Sequence, residues 1–433
     1  MLLSFLFGCT DIDRTIDEQL RFEINTAPGS KGLSSYRMPL SNQLERIPQD
    51  PKNRLTEDKV LLGQLLFHEP GFATNSEFLE MTQTFSCASC HHAGGGFQAN
   101  VIQGIGDGGI GFGIAGERRQ VDLFVEMAKV DVQSLRTPSV MNVAYQTNLF
   151  WNGQFGATAV NEGTESLWPA EGPTSVNHLG YEGTESAAIA GLDIHRHKFD
   201  AASVDTMGYK EMFDKAFPDV PIAERYNNET AGLAIAAFER TILSNQAPFQ
   251  KWLRGGAAWM SDTQKEGARL FFGKAQCYSC HSGGGLASME FHAIGMNDFD
   301  PTQVVNYTSR DEENKGRSSF TQNSDDSYKF KVPQLYNLKD SPFYGHGASF
   351  SSIRDIIVYK NEGLAQNSRV SEKYLSPNFT PLDLSEEEID LLTDFVENAL
   401  YDPNLSRYQP SSVLSEMCFP NNDWMSREDI GCE

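Results

Sequence analysis

The sequence predicts a mainly α-helical chain built from two like units, and three observations predict it. The ten residues from Phe85 to Gly94 contain Cys87, Cys90 and His91, and the same Cys-x-x-Cys-His spacing returns at Cys277, Cys280 and His281. The flanks of the two motifs repeat with them. Each unit then closes on an amphipathic pattern of helical period.

The elements follow in order. Before the first motif, LTEDKVLLGQLLF reads as a helix with Thr56 as N-cap and Gly63 four residues ahead of Phe67. Before the second, MSDTQKEGARLFF has Ser261 as N-cap and Gly267 four ahead of Phe271. A glycine at the same place in both helices points to close backbone approach. After the motifs stand LRTPSVMN and FKVPQLYN, in which Pro138 and Asn142 have the separation of Pro333 and Asn337. Nine residues past each asparagine come Trp151 and His346. The closing helix of the second unit, LSEEEIDLLTDFVENAL, has a capping box at Ser385 and Glu388, and an apolar stripe of Ile389, Leu392, Phe395, Val396 and Leu400. NNETAGLAIAAFERTIL plays that part in the first.

The motif itself carries chemistry. Two cysteines three apart match the two vinyl groups of a haem across one turn, and the next residue, a histidine, is aimed at the iron. With 7 Cys and 9 His in 433 residues, chance would produce the string roughly 0.002 times per chain. A zinc site would need four convergent ligands, and a thioredoxin-like pair would need a βαβ context. Neither explains a histidine after both pairs. The fold class is therefore two cytochrome c-like helical domains, each enclosing one covalently bound haem c, with Cys87, Cys90, His91, Cys277, Cys280 and His281 as the attachment and proximal residues.

Composition agrees. A formal net charge of -23 excludes a nucleic-acid role, which needs basic patches, and suits a cationic partner with salt-sensitive association. After Thr10, no segment carries the run of about eighteen apolar residues that spans a bilayer. The start MLLSFLFGCT ends in Gly8-Cys9, like a bacterial lipoprotein signal, though Phe7 is bulky for such a site. No basic stretch precedes it, so the expectation is an export signal that starts further upstream. Of seven cysteines, Cys9 is assigned to the lipid anchor and four to haem. Cys418 and Cys432 are left, and a disulfide between them would staple the tail. The expected division is 1–54 export segment and linker, 55–245 first haem domain, 246–408 second haem domain, and 409–433 stapled tail.

These residues resemble the bacterial di-haem cytochrome c peroxidase family, which includes MauG-type enzymes. The matching strings, in family order from about Leu55 to Asp402, include GQLLF, FSCASCH, RTPSVMNVA, LFWNGQF, AFERTIL, GARLFF, CYSCHSGG, FKVPQLYNL and SPFYGHGASF. The resemblance implies a periplasmic enzyme in which the N-terminal haem reacts with hydrogen peroxide and the C-terminal haem takes electrons from a small donor, a cytochrome c or cupredoxin. Trp151 corresponds to the tryptophan between the haems. A calcium ion between the domains, with Asp340 and Ser341 in the matching segment, and a homodimer are further family features.

The chain departs from the family at three places. The glutamine, proline and glutamate of the peroxidatic pocket align with Ala187, Gly191 and His197, after an insertion in which EGTES occurs twice. The expectation is that His195, Arg196 or His197 lines the distal side of the first haem, moving protons or stabilising charge. The loop that often carries a distal histidine reads GIGDGGIGFGIAGERR, has no histidine, and is expected to be a mobile cover rather than a dinucleotide site. His92 is expected to be exposed. The family's sixth ligand to the second haem aligns with Lys360, with Tyr359 next to it and Met289 and Met296 as outside candidates. Three functions are carried forward. They are a peroxidase, a MauG-like oxidase that modifies a partner protein, and a non-enzymatic electron-transfer cytochrome.

Overall fold

The computed structural model describes residues 14–432; Cys9 lies outside them. The chain is mainly helical, and the described strands pair only as two antiparallel two-residue ladders, β1 (Gly109–Ile110) with β2 (Gln120–Val121) and β3 (Phe291–His292) with β4 (Phe330–Lys331).

After an N-terminal helix α1 (Ile16–Thr26), the first unit holds α2 (Glu57–His68), α3 (Gly183–Ile194), α4 (Ala201–Thr206), α5 (Lys210–Ala216) and α6 (Asn228–Thr241). The second holds α7 (Pro248–Leu253), α8 (Asp262–Phe272), α9 (Ser318–Thr321), α10 (Ile353–Glu362) and α11 (Glu386–Asp394), and α12 (Trp424–Ile430) follows in the tail. The caps stand as the sequence predicts. Thr56 Oγ1 accepts from the Lys59 N–H at 3.2 Å, and capping boxes close at Ser261 and Ser385. All five stripe residues of the last haem-domain helix are buried, Phe395 and Val396 in a π-turn at Phe395–Ala399 and Leu400 just beyond it.

The two glycines explain how each unit closes. A Cβ on Gly63 would lie 1.9 Å from the Ala234 carbonyl oxygen of α6, and one on Gly267 would lie 2.0 Å from that of Leu391 in α11. No side chain fits there, so α2 crosses α6, and α8 crosses α11, with backbones in contact. Asn142 and Asn337 both take the left-handed conformation (φ 58° and 53°), which asparagine tolerates. Each N–H then reaches the end of its unit's closing helix, at Ile242 O (2.8 Å) and Leu400 O (3.2 Å).

The two units share a single apolar core rather than one each; Phe67, Phe238, Tyr336, Phe271 and Phe395 belong to the same packed cluster. The termini also cross over. Part of the expected linker is helix α1, whose buried Leu20 and Ile24 face the second unit. There Asp17 accepts from Trp252 Nε1 (2.6 Å) and pairs with Lys265 (3.0 Å), and Glu23 pairs with Arg269 (2.9 Å). The tail, closed by the Cys418–Cys432 disulfide, instead returns to the first unit. Ser86 Oγ donates to Pro420 O at 2.9 Å, and Ser89 bonds Asn421.

That tail also corrects the expectation for the Gly104–Arg119 loop. Asp423 accepts from the Gly111 N–H (2.9 Å) and pairs with buried Arg119, while Asp429 accepts from the N–H groups of Phe112 and Gly113 (both 2.9 Å). The glycines let backbone donors meet these carboxylates. The loop is clamped.

Candidate functional site

Both attachment motifs form the same turn. His91 N–H donates to Cys87 O (3.0 Å) and His281 N–H to Cys277 O (2.9 Å), which brings each histidine over its cysteines. All four sulfurs are free thiols on the wall of one continuous cavity of about 680 Å³ that runs through both units. Each histidine ring is held from behind. His91 Nδ1 lies 3.2 Å from Phe97 O, and His281 Nδ1 lies 3.1 Å from both Leu286 O and Pro333 O. A carbonyl only accepts, so Nδ1 carries the proton and Nε2 presents its lone pair. Burial pushes both rings down to about 4, so both are neutral at physiological pH. Four free thiols and two neutral, forward-facing imidazoles on one cavity are the donor set that two haem c groups require.

The first unit's distal candidates separate. Ala187, Gly191, His195 and His197 all line the cavity, as the alignment of that stretch predicts. Arg196 does not. It takes the left-handed conformation (φ 59°) and is drawn outward into an ion pair with Asp107 and a hydrogen bond to Lys129 O. A buried carboxylate outside the cavity outcompetes the expected distal role. His195 Nδ1 sits 2.7 Å from Asp131. Burial pulls this imidazole down, but the Asp131 carboxylate outweighs it and the net shift is upward. His197 is the opposite case. Its Nδ1 lies 2.8 Å from the His195 carbonyl, which fixes the proton there, and its Nε2 is buried without a partner. Burial, then repulsion from His195, push it down to about 4.

Trp151 lines the cavity at the seam, its Nε1–H held by Arg136 O at 2.7 Å. Its ring lies 6.3 Å edge-on from His346, which stacks on Phe330 at 3.8 Å. The repeat therefore brings Trp151 and His346 together. In the second unit Lys360 is a half-buried residue of the wall, within electrostatic reach of Cys277, Cys280 and His281, and desolvation pushes its ammonium down to about 8. Met296 lines the same cavity, Met289 does not, and the Tyr359 hydroxyl is spent on Ile294 O.

One expectation is altered here. His92 is buried rather than exposed, with Nδ1 accepting from the Gly94 N–H (3.0 Å) and its ring against Phe112. Asp340 accepts from Asn337, and the Ser341 hydroxyl is engaged by the Arg136 guanidinium. Among the described residues, the one convergent set of potential metal donors is Cys280, Glu290 and His292, and it does not include Asp340. Its sulfur belongs to the second Cys-x-x-Cys-His string.

Sequence reasoning missed Glu239. It lines the cavity beside Cys87, is buried, and no donor among the described residues reaches its carboxyl. Burial and the neighbouring Glu185 push it up to about 8, against the pull of Arg240. Aligning AFERTIL with DFVENAL would have found it, because Glu239 stands where the second unit has Val396.

Comparison with known proteins agrees with this arrangement. Residues 57–258 match the family model described as di-haem cytochrome c peroxidase. The methylamine utilization protein MauG of Methylorubrum extorquens is 27% identical over 367 residues, covering 83% of each chain. The cytochrome-c peroxidase IdrP1 of Denitromonas iodatirespirans is 26% identical and covers 85% of this chain and 88% of its own. Among solved structures, a MauG-like protein associated with microbial copper homeostasis superposes with a TM-score of 0.56 at 23% identity, over 85% of this chain and 95% of its own.

Proposed function

We infer from this chain's place among the di-haem cytochrome c peroxidases that it is a periplasmic oxidoreductase, reducing hydrogen peroxide to water with electrons from a small donor protein. Each turnover consumes two electrons and two protons and releases two waters. When bound, the two haem irons supply the redox chemistry, and between them hold the electron pair.

The residues of this chain do the rest. His91 and His281 each present Nε2 to an iron, oriented by the carbonyls behind them. His197 stands in for the family's pocket glutamate. Its Nε2, which has no hydrogen-bond partner, would accept a proton from hydrogen peroxide and return it to the leaving oxygen. The His195–Asp131 pair keeps the His197 tautomer by holding the residue whose carbonyl accepts from Nδ1. Trp151 would carry electrons between the units, and Lys360, after losing a proton that burial has loosened, would hold the second iron. A lipid anchor at Cys9 is part of this reading, supported by the apolar run ending in Gly8-Cys9.

The observation that carries the reading is the buried, unpartnered Nε2 of His197, a residue that lines the cavity. The test mixes one equivalent of peroxide with ferric protein, without reductant, and follows the Soret band. The parent reacts fast. His197→Ala, with both haems still attached, reacts ~10²- to 10⁴-fold more slowly, the range for losing a general base. An unchanged rate overturns the assignment. A second reading, oxidation of a partner protein in the manner of MauG, is favoured by one observation, a lysine where a methionine would set a high potential.

A further inference from the structure

Two buried cations occupy equivalent places in the repeat. Arg136 stands two residues before Pro138, and Lys331 two residues before Pro333. Their side chains are almost wholly buried, at 4% and 7% residue exposure, yet both line the cavity. Neither has a counter-charge. The Arg136 guanidinium meets Gln98 (2.8 Å), Ala99 O (3.3 Å) and Ser341, all neutral, and its Nε–H has no partner. The Lys331 ammonium meets only Gln146. No carboxylate among the described residues pairs with either cation.

A buried charge is tolerated only when something compensates it. Burial alone pushes Lys331 down to about 7, and burial, opposed by Tyr344, pushes Arg136 down to about 10. Two such groups, at matched positions on the wall of one cavity and with donors left over, call for two anions there. The haems that attach at Cys87–Cys90 and Cys277–Cys280 bring their own, because each porphyrin carries propionate carboxylates.

We propose that Arg136 and Lys331 are the haem-carboxylate anchors, Arg136 for the haem of the first unit and Lys331 for that of the second. The guanidinium offers its open Nε–H, with the rest of the fork already held in plane; the ammonium offers two free donors. Both anchors sit on the seam. The Arg136 N–H donates to His346 O at 2.8 Å, and the Lys331 N–H to Trp151 O at 2.7 Å, so each is tied by its backbone to the opposite unit's aromatic loop. The acidic edge of each haem is thereby assigned to the side where Trp151 lies. The inference rests on two attached haems and not on peroxide turnover.

The test uses the full chain loaded with haem, as Arg136→Gln and Lys331→Gln, with Arg136→Lys and Lys331→Arg as charge-keeping partners. Pyridine haemochrome spectra first count the haems. A count below two in the parent overturns the haem reading itself, a result distinct from any shift in potential. Spectroelectrochemical titration then gives both midpoint potentials. Loss of the cation leaves a carboxylate uncompensated and makes adding an electron harder. Arg136→Gln therefore lowers the first haem's potential and leaves the second near parent, Lys331→Gln does the reverse, and the charge-keeping variants stay near parent. Potentials unchanged in both Gln variants, or shifted equally at both haems by either one, overturn the proposal. Should a Gln variant fail to accumulate, a crystal structure of the parent holoprotein decides. Carboxylates within hydrogen-bond reach of both cations support the assignment, and a small free anion or water there overturns it.

Discussion

Replacing Glu239 with glutamine should change how the stability of the protein depends on pH. The carboxyl has an ordinary value of 4.5 and is pushed up to about 8, chiefly by burial and then by Glu185. Below pH 4.5 the proton is on the group in both the folded and unfolded states. Between 4.5 and 8 the folded chain keeps a proton that the unfolded chain has lost, so folding stability falls as pH rises through that window. Above 8 the full cost of a buried, unpaired carboxylate is present. The difference between the two values corresponds to on the order of 5 kcal/mol. Glutamine keeps the shape and never ionises. Denaturant unfolding of the haem-loaded protein, followed by far-UV circular dichroism at pH 5, 7 and 9, measures the effect. The variant should gain on the parent steadily from pH 5 to pH 9, by several kcal/mol in all. A gap between variant and parent that stays constant with pH would refute the reasoning, because it would mean that Glu239 ionises in the folded protein as it does in water.

Other outcomes follow from the same structure. Gly63→Ala and Gly267→Ala each drive a methyl into a carbonyl 1.9 to 2.0 Å away, and each should cost about 1–3 kcal/mol or more in unfolding experiments, as overpacking does. Lys360→Met should raise the midpoint potential of the second haem, and Lys360→Ala should leave it high-spin by electron paramagnetic resonance. Cys418→Ser with Cys432→Ser opens a disulfide spanning a sequence separation of 14 and should lower stability by about 2–4 kcal/mol in the same denaturant assay.

What could be read in the sequence was local or repeated. Thr56, Ser261 and Ser385 cap helices because a side chain three residues from its target needs no tertiary context. The paired cysteine-histidine strings and the matched glycines were legible because each unit comments on the other. Ala187, Gly191 and His197, singled out by the alignment, do line the cavity. Arg196 went astray because Asp107, 89 residues away, competes for it, and no local pattern announces that. The glycine loop looked free because its anchors, Asp423 and Asp429, lie more than 300 residues downstream. The seam was invisible for the same reason: a hydrogen bond from Lys331 to Trp151 leaves no periodicity behind.

The crossing of distant segments sets an order in which contacts become available. Helix α1 is made before the residues it rests on, Trp252, Lys265 and Arg269, which follow 235 to 248 residues after their partners. The residues that close over Ser86 and Ser89, beside the first cysteine pair, follow 332 to 334 residues after them. The wall at the first cysteine-histidine string thus emerges before that at the second, and gains these contacts after it.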